Sequence, residues 1–184
     1  MDKEVVFSCK CEEPEGTVER SVYFAPLTPE RINRYYEKLS KFPTLFNRHI
    51  TGIEDFLTSF ITQDGDSIKA NGIIWEVDDV GLFFITDIYP NYQATGHFTF
   101  WDRRFRGREV LLKTALKYAF KEFDFHRIIT EVPLYTPATL GAVERVGFVK
   151  EGRLRKATWY QGEWWDVNLY SILREESIEN GKPN

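Results

Sequence analysis

The chain has 184 residues, of which 42% are hydrophobic and 16% aromatic, and a formal net charge of −4. That length and composition build one globular domain, residues 1–184, with a buried core, and exclude a disordered chain. The mild acidity argues against general nucleic-acid binding, and no apolar run reaches the roughly 20 residues of a membrane span.

Met1-Asp2-Lys3-Glu4 has neither a basic n-region nor an apolar h-region, so the expectation is a cytoplasmic protein without a secretory signal. Cys9 and Cys11 are the only cysteines. Two apart on an extended segment, they are expected to face opposite ways, to stay reduced and not to bond to each other. Two cysteines alone make no zinc site, and no metal site is expected.

Residues 1–20 are polar and acidic and read as an N-terminal extension, with a short strand at Val5-Val6-Phe7. Ser21 to Ala25 reads as a strand. Thr28 caps a helix that has Pro29 at its first position and Ile32, Tyr35, Tyr36 and Leu39 on one face. Thr51 and Glu54 form a capping box before Phe56, Leu57, Phe60 and Ile61. Gly65 begins a turn. Ile68 to Val77 and Gly81 to Ile88 read as neighbouring strands joined at Asp78-Asp79, and Tyr92 to Trp101 as a further strand.

The clearest helix follows, with Leu111, Leu112, Ala115, Leu116, Ala119, Phe120 and Phe123 in one stripe. Arg127 to Val132 is a strand, so the unit is a parallel β-α-β crossover. Thr136 caps a short helix with Pro137 at its first position, and Gly147 ends it. Phe148 to Arg153 and Asn168 to Leu173 read as closing strands around Gln161-Gly162. The tail, 177–184, reads as loose. The fold class is a mixed α/β domain with a central sheet and flanking helices.

The most telling stretch is His97-Phe98-Thr99-Phe100-Trp101, a strand that runs through Asp102-Arg103-Arg104-Phe105-Arg106-Gly107-Arg108 into that helix. The first N–H groups of a helix have no internal partners and sit at the positive end of its dipole. Basic residues and a glycine at that point therefore make an anion site. A solvated patch or a surface for an acidic partner is the alternative reading of the four arginines.

From Gly96 to Glu175 the chain resembles the GNAT acetyltransferase superfamily, and within it the RimJ/RimL-like branch. Arg104-Phe105-Arg106-Gly107 is similar to the start of its phosphate loop, and Ala119-Phe120 with Arg127-Ile128 to its helix end and next strand. Thr136-Pro137-Ala138-Thr139 stands where the branch has Asn-x-x-Ser. Glu144-Arg145-Val146-Gly147-Phe148, Glu151-Gly152 and Arg155 resemble a further run, and Gly162 to Tyr170 the C-terminal signature. The wording from Phe100 to Glu109 also resembles GNAT-like proteins carried by bacteriophages.

The resemblance implies acetyl-coenzyme A as donor and a primary amine as acceptor, either a small molecule or a protein N-terminus, with direct transfer in a ternary complex. A homodimer is compatible with it. It implies that the backbone of Phe98, Thr99 and Phe100 runs beside the pantetheine arm, between strands Tyr92–Trp101 and Arg127–Val132. The amides around Arg104 to Glu109, with Gly107, would hold the pyrophosphate. Arg103, Arg104, Arg106 and Arg108 are the candidate phosphate clamps. Thr136 and Thr139 would meet the pantetheine and the leaving thiol.

Three departures bear on activity. Glu109 takes a small-residue position of the loop, where an inward carboxylate would repel phosphate. Thr136 replaces an amide donor. Thr158 replaces a carboxylate suited to base work. Amine acylation needs a neutral nucleophile, so another base, or water, must take the proton. His97 is the preferred base, since its ordinary pKa of about 6.5 suits that work. The alternative for His97 is a hydrogen-bonded histidine half-buried in a sheet. Asp87 and Glu131 are weaker candidates, while His49 and His126 read as surface residues. Trp159, Tyr160, Trp164 and Trp165 read as packing rather than as a pocket rim. The rival to the enzyme reading is a catalytically inactive GNAT-like binding or assembly protein acting through the arginine patch and the aromatic cluster.

Overall fold

A computed structural model describes residues 4–42, 44, 50–58, 60–64, 67–102 and 105–179. In chain order the elements are β1 (Val5–Glu13), β2 (Gly16–Phe24), α1 (Pro29–Leu39), α2 (Ile53–Thr58), β3 (Ile61–Asp64), β4 (Ser67–Ala70), β5 (Gly72–Val77), β6 (Gly81–Tyr89), β7 (Gln93–Phe100), α3 (Arg108–Phe123), β8 (Arg127–Pro133), α4 (Pro137–Val146), β9 (Val149–Tyr160), β10 (Glu163–Leu173) and α5 (Arg174–Glu179). Among the described residues, eight strands form one sheet in the order β1-β2-β5-β6-β7-β8-β10-β9, and β3 pairs with β4 separately. Among the described strands only β7 and β8 run parallel; α3 carries the chain across between them.

Strand alternation sorts side chains to two cores. On β5 and β6, Trp75, Phe83 and Ile85 face the core under α3 and α4. Their neighbours Ile74, Leu82 and Phe84 face α1 and α2 with Ile32, Tyr35, Leu39 and Phe56. Leu111, Leu112, Ala115, Leu116, Ala119 and Phe120 of α3 are all buried, as the stripe requires. Each such Leu or Phe contributes about 1.5–3 kcal/mol relative to exposure.

Local rules explain several joints. The Thr28 hydroxyl accepts from the Arg31 amide at 3.3 Å ahead of Pro29. Gln161 and Gly162 both have positive φ, 49° and 89°, the turn that joins two strands tightly. Gly147 ends α4 at φ 113°, where a side chain would be strained.

Several expectations change. From Val5 on, the stretch expected to be an extension enters the fold, because β1 and β2 form the edge hairpin of the main sheet. The capping box uses Asp55 rather than Glu54: Asp55 accepts from both the amide and the hydroxyl of Thr51. Ile68 to Val77 is broken at Asn71 into β4 and β5, whose amide instead donates to Phe60 O at 2.7 Å. The tail begins with α5, whose Glu176 accepts from the Leu173 amide, and Ser177 is buried. The turn at Gly65 lies outside the described residues.

The cysteines also differ from expectation. Residues two apart on a strand share a face, and Cys9 Sγ lies 3.5 Å from Cys11 Sγ, both thiols being free. Burial pushes the Cys11 thiol up to about 12, so it packs as a small apolar group.

The residues that carry the resemblance in the C-terminal half bind elements together. Tyr170 on β10 donates to Glu144 of α4 at 2.9 Å and stands 3.4 Å from Asn168 Nδ2. Ser171 of β10 donates to Glu151 of β9.

Candidate active site

Parallel pairing of β7 and β8 covers three positions, Gln93 with Arg127, Ala94 with Ile128 and Thr95 with Ile129. Beyond Thr95 the strands separate. Gly96 to Phe100 keep their partners on β6 but have none on β8. Their backbone edge groups there must find partners elsewhere. The gap opens into a cleft of about 640 Å³ roofed by Leu39 of α1 and Phe56 of α2. Its lining includes Asp87, His97, Thr130, Glu131, Tyr135 and Thr158, and no Lys or Arg among the described residues.

His97 is held on two sides. Its ring stacks on Phe84, centroids 4.6 Å apart at 11°. Its Nε2 lies 2.9 Å from the Thr86 hydroxyl, which also donates to Asp87 Oδ2 at 3.1 Å. Burial pushes the imidazole down to about 4, against a smaller upward pull from Asp87. It is therefore neutral at pH 7, but it is a weaker base than the ordinary value near 6.5 that made it the preferred candidate. Asp87 reaches this place through a bulge: the β6–β7 register shifts between Thr86 and Tyr89, and Asp87 adopts φ 48°. Bulges next to a site re-aim a side chain in this way.

At the far end of β7, Gly107 caps α3 without any side-chain bond to its first turn. A helix start without a side-chain cap suits an outside acceptor for its first amides. Acetyl-coenzyme A fits this pairing of free helix amides with an unpaired strand edge.

The candidate cofactor residues divide. Phe98, Thr99, Thr136 and Thr139 line the cleft. Phe100 turns away and packs on Phe105 at 5.2 Å. Arg106 is exposed. Arg108 is committed to the fold: it donates to Asp102 O at 3.1 Å and lies over the Phe100 ring. Arg103, Arg104 and His49 lie outside the described residues.

Glu109 answers its own objection, since its carboxylate is paired with Arg145 of α4. Thr136 precedes α4 but does not cap it through its side chain. Its hydroxyl instead donates to Pro133 O at 2.7 Å, which leaves the oxygen able only to accept. Thr158 is 4% exposed and faces the cleft beside Tyr135.

Gly107 has a second constraint. A Cβ there would sit 2.2 Å from Cys11 Cβ and 2.4 Å from its Sγ. The sheet edge thus packs directly on the helix start, and Gly107→Asp would disturb packing whether or not phosphate binds.

Two groups escaped the sequence reading. Tyr135 stacks on Tyr160 at 4.2 Å and meets Trp165 edge-on, which puts the aromatic cluster against the cleft wall. Burial raises its phenol pKa, so it stays a donor at neutral pH. Thr86 joins the site through its contacts with His97, across the β6–β7 pairing, and with Asp87. No period or motif signals either.

No family model matches the chain. The uncharacterized N-acetyltransferase YnaD of Bacillus subtilis is 31% identical over 87 residues, which cover 47% of this chain and 45% of that protein, so the match spans less than half of each. The spermidine N(1)-acetyltransferase of Vibrio cholerae is 24% identical over 152 residues, 80% of each chain. The structure of the V. cholerae spermidine N-acetyltransferase in complex with CoA and spermine matches with a TM-score of 0.67 at 18% identity, covering 85% of this chain and 98% of that one. An acetyltransferase of the GNAT family from Bacillus anthracis matches with a TM-score of 0.63 at 20% identity, covering 92% and 100%. These relatives and structural neighbours are N-acetyltransferases, and the fold is that of GNAT acetyltransferases.

Proposed function

We propose that this protein transfers an acetyl group from acetyl-coenzyme A to a primary amine, by direct attack within a ternary complex. The parting of β7 and β8 beyond Thr95 and Ile129, over a cleft whose described charged lining is Asp87 and Glu131, carries the reading. Two carboxylates and no cation among the described lining residues favour an acceptor that arrives as an ammonium ion. The spermine complex of the V. cholerae neighbour supports the same class, a small polyamine-like amine, ahead of a protein N-terminus.

The residues divide the work. The edge of Phe98, Thr99 and Phe100 aligns the pantetheine arm through backbone groups. The first-turn amides after Gly107 take the pyrophosphate, and Arg103, Arg104 and Arg106 add positive charge. Arg108, bound to Asp102 O, braces the turn rather than clamping phosphate. Acetyl-coenzyme A supplies an activated acyl carbon. Neutral His97 accepts a proton from the acceptor. Thr139, in the first turn of α4, offers its hydroxyl to the departing thiol. Glu109 remains outside the chemistry in its pair with Arg145. The RimJ/RimL-like branch, a bacteriophage setting and a cytoplasmic location belong to this reading as well.

Release of coenzyme A thiol, followed with a disulfide dye, tests it. With acetyl-coenzyme A and spermidine, thiol release should rise with amine concentration and saturate. Across a panel of polyamines, monoamines and peptide N-termini, the absence of any amine-dependent release would overturn it and leave an interaction protein with this fold.

A further inference from the structure

Three groups in the cleft form a connected chain that catalysis by a lone histidine would not need. Thr86 is 7% exposed, and its hydroxyl stands between Asp87 Oδ2 at 3.1 Å and His97 Nε2 at 2.9 Å. A hydroxyl has one proton to give, and an ionised carboxylate only accepts. With that proton on Asp87, the Thr86 oxygen must accept from His97. The hydrogen of the neutral ring is therefore on Nε2, and the lone pair is on Nδ1, which no described residue engages. The stack on Phe84 fixes the ring plane.

The backbone supports the arrangement at a cost. Asp87 is a non-glycine residue at φ 48° in a bulge, a conformation that persists only where its surroundings fix it. Asp87 from β6 and Glu131 from β8 are the charged groups of the described lining around the ring, and α1 and α2 contribute the apolar Leu39 and Phe56.

We infer that Thr86 is a positioning residue that links Asp87 to His97, fixes the ring as its Nε2–H tautomer and presents Nδ1 to the acceptor's ammonium proton. This rests on the proposed amine acetylation. An N–H bond of the ammonium breaks and an N–H bond forms at Nδ1. The imidazolium is then stabilised by the Asp87 charge through the Thr86 hydroxyl. The freed electron pair on nitrogen forms the C–N bond as the C–S bond breaks with its pair leaving on sulfur. A second nitrogen proton goes to that sulfur, and the proton on Nδ1 returns to solvent.

The test has a kinetic arm and a spectroscopic arm. Thr86→Val keeps the branched shape and removes the hydroxyl; Thr86→Ser restores it. Thr86→Val should lower kcat about tenfold or more and leave the KM for acetyl-coenzyme A within about twofold. Loss of the Asp87 link lowers the basicity of His97, so the acid limb of the pH–rate profile should move to lower pH. Thr86→Ser should recover most of kcat. Full activity of Thr86→Val, or an unmoved profile, would overturn the inference.

Nitrogen-15 spectra of the wild-type imidazole at pH 7 give an answer that requires no turnover. A protonated Nε2 and a bare Nδ1 are expected, and the opposite tautomer overturns the link. If no amine is acetylated yet the tautomer is as stated, the proposed function has failed and the hydrogen-bond geometry has not.

Discussion

At the scale of the residue, Gly107 shows how one position serves two ends. It leaves the first turn of α3 without a side-chain cap, so that its amides face outward, and its bare Cα lets β1 approach through Cys11. Gly107→Ala should therefore lower stability by about 1–3 kcal/mol through overpacking against Cys11. Urea unfolding would check this, and unchanged stability would mean that β1 does not press on the loop. The helix start at Gly107 is legible in the sequence, because a glycine ahead of an apolar stripe is a local signal. The contact with Cys11 is not, since it joins positions 96 residues apart. Thr136 was likewise read correctly as the residue before α4, but the direction of its hydroxyl depends on Pro133 O, which only the folded chain brings within reach.

At the scale of the element, the site depends on where two strands stop pairing. Gly96 is the first β7 residue without a β8 partner, and a Cβ there would sit 2.9 Å from Ile128 Cγ2. Gly96→Val should push the strands at this point, costing about 1–3 kcal/mol of stability. It should also weaken acetyl-coenzyme A binding. Gly152→Val on β9 is the control, because nothing lies within 4 Å of its Cβ position and its effect should stay within about 0.5 kcal/mol. Equal losses in both variants would show that the splay point has no special packing. The strand-helix-strand unit was readable from the stripe on α3 and the β-branched run on β8. The break at Asn71, the bulge at Asp87 and the edge hairpin were not, because each is decided by pairing with distant strands rather than by local pattern.

At the scale of the whole molecule, helices on both faces of one sheet leave a single parallel joint, and the cleft forms at that joint. Asp87 of β6 and Glu131 of β8 line the cleft, and β7 leads from it to the start of α3. The order of motifs from Gly96 to Glu175 made the fold readable, since those residues hold α4, β9 and β10 together and the same frame recurs in the N-acetyltransferase neighbours. The cleft is far less readable. Its walls come from α1, α2 and β6, where apolar spacing describes packing alone.

The most direct test is calorimetric titration of the purified protein with acetyl-coenzyme A, with desulfo-coenzyme A as the comparison. Micromolar binding of both is expected, because the helix amides and the strand edge recognise the part they share. No binding at millimolar ligand would contradict the account, and would mean that the parted strands and the open helix start do not form a coenzyme site.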